Sequence, residues 1–189
     1  MIVLLLVAGF GYFAVYRPIQ NFLAGFGAPA QTQTQTAAQE AQAQRALTTA
    51  DVQRFVRVRR SVRTAMGGSF ASVERVFADL QNGQAPNAMA VLGVLKDATG
   101  SVGTARSTQQ AALAREGMST ARYNYVRGEV NKALGLPQID FQKVAQSVSK
   151  GQLPDLNASV ETADAASQKL VTPFRSELTV TAPLGLLGL

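Results

Sequence analysis

Residues 48–80 read TTADVQRFVRVRRSVRTAMGGSFASVERVFADL. Val52, Phe55, Val56, Val62, Met66, Phe70, Val73, Phe77 and Leu80 recur there at spacings of three and four. That is one apolar stripe of a long amphipathic helix. Thr48-Thr49-Ala50-Asp51 precedes it as a capping sequence, with an acid in the first turn. Gly67-Gly68 interrupt the stripe and kink or split the helix, at about 1 kcal/mol each relative to Ala.

The chain beyond this stretch continues in the same period. Gly83 and Pro86 end the element, and Asn87 caps a short helix with Met89, Leu92 and Leu95 on its inner face. A Gly/Ser/Thr-rich joint, Thr99 to Thr104, leads into a third helix ending near Glu116. Gly117 suits a left-handed helix end and Ser119 the next N-cap. Tyr123, Val126, Val130 and Leu134 form a further stripe, closed by Gly135. Pro137 opens a segment with Ile139, Val144 and Val148 inward, closed by Gly151. Asp155 or Asn157 caps a last helix carrying Val160, Ala163, Leu170, Phe174 and Leu178, which Pro173 kinks or restarts. No strand pattern and no long-period repeat stands out. The expected fold class is all-α: an N-terminal transmembrane helix followed by a bundle of four to six helices over residues 47–180. Residues 181–189, TAPLGLLGL, form an apolar tail without helical punctuation.

Before this helical region, residues 1–16 read MIVLLLVAGFGYFAVY, without a charge. A helix of that length covers roughly 24 Å of a ~30 Å hydrocarbon core, and the apolar character resumes after Arg17-Pro18. Tyr12 and Tyr16 lie one turn apart and Arg17 follows, an interfacial belt with a snorkelling cation. A cleaved signal peptide is the competing reading, with Ala28-Pro29-Ala30 as the cut. The missing basic leader and the position of Arg17 favour an anchor over residues 1–28. The abrupt start inside an apolar run suggests a basic leader upstream. Residues 29–46, rich in Gln, Thr and Ala, read as a tether whose second half can continue as helix. The expected location is a bacterial inner or intracytoplasmic membrane, single-pass, with the bundle on the periplasmic side.

Composition narrows the chemistry. The 189 residues hold 18 Lys+Arg against 12 Asp+Glu, and no His, Cys or Trp. No thiol nucleophile, disulfide or thiolate zinc site can form, and no imidazole base or ligand exists. Transition metals usually need those donors, so no metal or cofactor is expected. The carboxylates are scattered. Gly100-Ser101-Val102-Gly103-Thr104 lacks the lysine and the preceding strand of a phosphate loop. The chain therefore does not read as an enzyme.

The remaining signals concern contact. Arg54, Arg57 and Arg60 lie on the side of the first helix away from its stripe, with Arg59 near the stripe and Arg63 at its border. Such a face is a solvated surface, or it meets an acidic partner or anionic lipid. Nucleic acid is not expected, because no recognition motif accompanies the charge. Tyr125 points away from the stripe of Tyr123 and is an interface candidate. Leu184, Leu186, Leu187 and Leu189 should pack on the bundle, on the bilayer or in a partner's groove.

Three stretches together, YFAVYRP, LTTADVQRFVRVRR and GMSTARYNYVRGEVNKAL, resemble small helical membrane-anchored envelope proteins of Gemmatimonadota and related bacteria. That group includes an accessory subunit of the photosynthetic reaction centre–light-harvesting complex. The resemblance implies a non-catalytic structural or assembly subunit whose partners are other membrane-complex subunits and the bilayer. The alternative is a free membrane-anchored envelope module that binds an apolar ligand or a client protein.

Overall fold

The computed structural model describes residues 41–82, 88–136 and 161–189. The anchor of residues 1–28, with Tyr12, Tyr16 and Arg17, lies outside them, as do the first part of the tether and the segment from Pro137 to Val160. All regular secondary structure among the described residues is helical, with no strand. Among them no helix is long and apolar enough to cross a membrane.

Helix α1, Thr49–Met66, is the hub. It begins where the sequence indicates: the Thr48 hydroxyl accepts from the Asp51 N–H at 3.2 Å, and Asp51 accepts from the Thr48 N–H at 3.1 Å. This reciprocal capping box satisfies two backbone donors that would otherwise be orphaned. The stripe residues Val52, Phe55, Val56, Val62 and Met66 are all buried. Val58 and Arg59 are buried as well, so α1 is enclosed on more than one side. A 3-10 turn at Gly67–Ser69 splits it from α2, Phe70–Gln81. Gly67 has φ 52°, a value that a β-carbon disfavours.

The next element departs from the expectation. In place of a short helix, a joint and a third helix, a single helix α3 runs Ala88–Glu116. The Gly/Ser/Thr stretch stays helical although Gly100, Gly103 and Thr104 are exposed, because the residues between and after them are held by the neighbouring helices. Val102 and Ala105 are buried, and the Ser101 and Ser69 hydroxyls share a 2.7 Å hydrogen bond. Packing of α3 against α1 and α2 outweighs the weak local propensity.

Helix α4, Thr120–Leu134, starts at Ser119, whose hydroxyl accepts from the Arg122 N–H at 3.1 Å. Tyr123, Val126 and Val130 are buried as the stripe predicts. Helix α5, Ala165–Val171, is capped by Asp164, while Asp155 and Asn157 fall outside the described residues. Pro173 sits in a 3-10 turn, Thr172–Phe174, which leads into α6, Arg175–Thr181.

The tail differs from a free apolar end. Ala182–Leu187 form a 3-10 helix, and Gly188 at φ 70° ends it. The Leu189 N–H donates to the Leu184 carbonyl and the Gly188 N–H to that of Gly185, both at 3.1 Å. The same paired bonds end α3 at Gly117 and α4 at Gly135. Each time the residue after the glycine, Met118, Leu136 or Leu189, is buried. This is the hydrophobic contact that accompanies a left-handed helix end. Leu184, Leu187 and Leu189 have no exposed surface at all.

Candidate functional site

Helices α1 and α3 run antiparallel, so the start of α1, the end of α3 and the start of α4 meet at one end of the molecule. Arg122, in the first turn of α4, reaches back from there into the core. Its side chain is 7% exposed and that of Asp51 is 1% exposed. Nη2 donates to Asp51 Oδ2 at 2.6 Å and Nε to Oδ1 at 3.3 Å. The other donors grip the chain entering α1. Nη1 donates to the carbonyls of Ala43, at 2.9 Å, and Arg45; Nη2 donates to that of Ala46 at 3.0 Å. All five guanidinium donors are thereby used.

Asp51 is equally saturated. Beyond Arg122 and the Thr48 groups, its Oδ1 accepts from Arg45 Nη2 at 3.3 Å. Burial alone would raise the Asp51 carboxyl. The hydrogen bonds from Arg122 and Thr48 and the charges of Arg122 and Arg45 outweigh it and hold the group below its ordinary value. Residues 43–46, the last part of the Gln/Thr/Ala tether, are thus clamped to the helical body. Residues 41–43 are helical and Ala43 is buried.

A second cluster gathers around the tail. Arg59, 1% exposed, lies over the Phe55 ring at 4.8 Å. It donates to the carbonyls of Thr181 at 2.7 Å and Leu189 at 3.2 Å. Arg106 donates to the Leu187 carbonyl at 3.4 Å. Burial, then the nearby charge of Arg127, lower its pKa. Gly188 lies beside both Arg106 and Arg127: a β-carbon there would stand 3.8 Å from Arg106 Nη2 and Arg127 Nη1, an ordinary contact, so it is the left-handed backbone and not space that favours glycine.

The arginine face of α1 is at the surface and engaged with its own chain. Arg57 holds Glu116 with Nε at 3.0 Å and Nη2 at 2.6 Å. That hydrogen bond is the main reason the Glu116 carboxyl is lowered and the Arg57 guanidinium raised. Arg60 holds Glu177 at 2.6 Å. Arg54 is half-buried and donates to no group among the described residues. Tyr125 is half-buried, with the Arg122 guanidinium 5.1 Å above its ring. Of the tail residues expected to meet a partner, Leu184, Leu187 and Leu189 are spent in the chain's own core; Leu186 belongs to the same 3-10 segment. Packing on the bundle is therefore the destination that Leu184, Leu187 and Leu189 take here, with Arg59 and Arg106 holding the tail's carbonyls inside.

Nothing along the chain pairs Arg122 with Asp51, 71 residues away. The only local signals were the capping role of Asp51 and the place of Arg122 three residues after Ser119. Among the described residues no group of three carboxylate, imidazole or thiol side chains could hold a metal ion. The Arg122 and Asp51 arrangement binds and orients backbone.

No protein-family model matches the chain. No curated protein matches it in sequence, and no solved structure matches it in fold.

Proposed function

We propose that this chain is a non-catalytic structural or assembly subunit of a large membrane protein complex, of the photosynthetic reaction centre–light-harvesting kind. Residues 1–28 anchor it as a single transmembrane helix, and the helical part stands on the periplasmic side. The observation that carries the reading is the grip of Arg122 on the carbonyls of residues 43–46. A domain tethered only to stay near a membrane gains nothing from fixing the last residues of its tether. A subunit that must hold a set position in an assembly does. The composition agrees, since no residue of the chain can ligate a pigment through imidazole.

For contact with other subunits the described candidates left are Arg60 and Tyr125, because Leu184, Leu187 and Leu189 are occupied in the chain's own core. Affinity co-purification from gently solubilised membranes, followed by native electrophoresis, tests the reading. Stoichiometric membrane subunits should accompany the chain. A chain that runs alone under conditions that keep other complexes intact refutes it.

One observation favours the free binding module instead. A groove of about 480 Å³ is lined by Pro173, Phe174 and Val180 between Arg60 and Arg63. Val180 is the exposed large hydrophobic residue of the described chain, at 43%. An apolar fluorophore that binds there with micromolar affinity, in a chain without partners, would support that second reading.

A further inference from the structure

We propose that the end of the helical domain bearing residues 41–46 docks on an anionic bilayer surface through Arg54 and Arg115, flanked by Arg45 and Arg57. The proposal rests on the membrane-anchored reading and deepens it.

Three elements build this surface. A polar cleft of about 410 Å³ opens there, with Arg45 and Arg54 on its wall beside Gly117 and Ser119. Arg115 is exposed two residues before Gly117. Arg57 follows Arg54 on α1 and is 49% exposed.

The charge is one-sided. Five arginines, Arg45, Arg54, Arg57, Arg115 and Arg122, meet two described carboxylates, Asp51 and Glu116. Asp51 is enclosed and saturated by Arg122, Arg45 and Thr48. Glu116 is held by Arg57 and also feels the charges of Arg54 and Arg115. Neither Arg54 nor Arg115 has a hydrogen bond or ion pair of its own among the described residues. Arg54 stands half-buried in the cleft wall with no hydrogen bond or ion pair among the described residues, and the nearby Glu116 carboxylate is gripped by Arg57, so a phosphate group can supply the partner that Arg54 lacks there.

Position selects the occupant. The cleft sits where the chain leads back to its apolar first sixteen residues. Residues 29–40, twelve in number, reach at most about 40 Å. An anchored domain therefore carries this patch within a short tether of the lipid headgroups at all times. An acidic protein would have to compete with that permanent local concentration. Near an anionic surface each arginine multiplies the docked population about fivefold, an attraction that salt screens.

The test reconstitutes the full chain in phosphatidylcholine vesicles with or without phosphatidylglycerol and follows hydrogen exchange. Slower exchange at residues 41–57 and 113–121 should require phosphatidylglycerol and fade at high salt. Arg54→Gln/Arg115→Gln should lower the docked-to-free ratio about 25-fold, and Arg54→Glu/Arg115→Glu should abolish docking. Both should keep the parent helical spectrum and still float with the vesicles, since neither residue packs in the core. Lys169→Gln/Arg175→Gln should leave the protection intact. Protection that is equal without phosphatidylglycerol overturns the proposal, as does its absence from a chain that floats. Protection gained only from a co-purified protein, with no anionic lipid, overturns it too. Flotation that high salt abolishes refutes the anchor alone, and lipid-dependent protection at low salt would still support the docking.

Discussion

Replacing Arg122 with alanine removes five hydrogen bonds at once. It leaves Asp51, 1% exposed, with only Arg45 at 3.3 Å and the Thr48 groups. Breaking a buried pair by removing one partner costs about 3–5 kcal/mol, because the other charge stays buried. Three carbonyls, those of Ala43, Arg45 and Ala46, also lose their donor. The upper half of that range is expected. Arg122→Lys separates charge from geometry. The ammonium keeps the charge but gathers three donors at one point, so it cannot serve two carboxylate oxygens and three carbonyls. A loss of about 1–3 kcal/mol follows from the polar groups left unpaired. Denaturant unfolding followed by circular dichroism measures both variants, and hydrogen exchange over residues 43–48 should rise first. An alanine variant that loses less than about 1 kcal/mol would show that the clamp does not hold the fold. A lysine variant as stable as the parent would show that charge, and not the five-donor fork, is what matters.

Acid should act through the same pair. The folded carboxyl of Asp51 lies below its unfolded value of about 3.9. Its contribution is therefore fully present above that pH and is lost as pH falls through the folded value; Asp51→Asn should flatten this acid limb of the unfolding curve. Leu184→Ala or Leu187→Ala should cost about 2–5 kcal/mol by leaving a cavity in a closed core, measured by the shift of the denaturant midpoint. Breaking the exposed Arg57–Glu116 pair by Glu116→Gln should cost no more than about 1 kcal/mol. Gly188→Ala should destabilise by about 1 kcal/mol through its left-handed backbone, visible as a lower melting temperature.

What could be read from the residues in order was what neighbours along the chain determine. The stripe from Val52 to Phe77, the caps at Thr48 and Ser119 and the glycine ends at Gly117 and Gly135 all act within two helical turns. Their geometry follows from the period and from hydrogen bonds between nearby residues. The lack of imidazole and thiol chemistry is likewise a property of the list of residues. Tertiary structure alone decided the rest. Gly100, Ser101 and Gly103 carry weak local signals, and the packing of Val102 and Ala105 with the Ser69–Ser101 hydrogen bond made one helix of α3. The tail leucines could have gone to bilayer, partner or core. Arg59 and Arg106, far away in sequence, hold their backbone within the core. Arg122 and Asp51 are unremarkable 71 residues apart, on helices whose own patterns say nothing of each other. A buried charge is tolerable only where its partner and every donor are satisfied, and that condition is met by the way the helices pack, not by any segment of the chain alone.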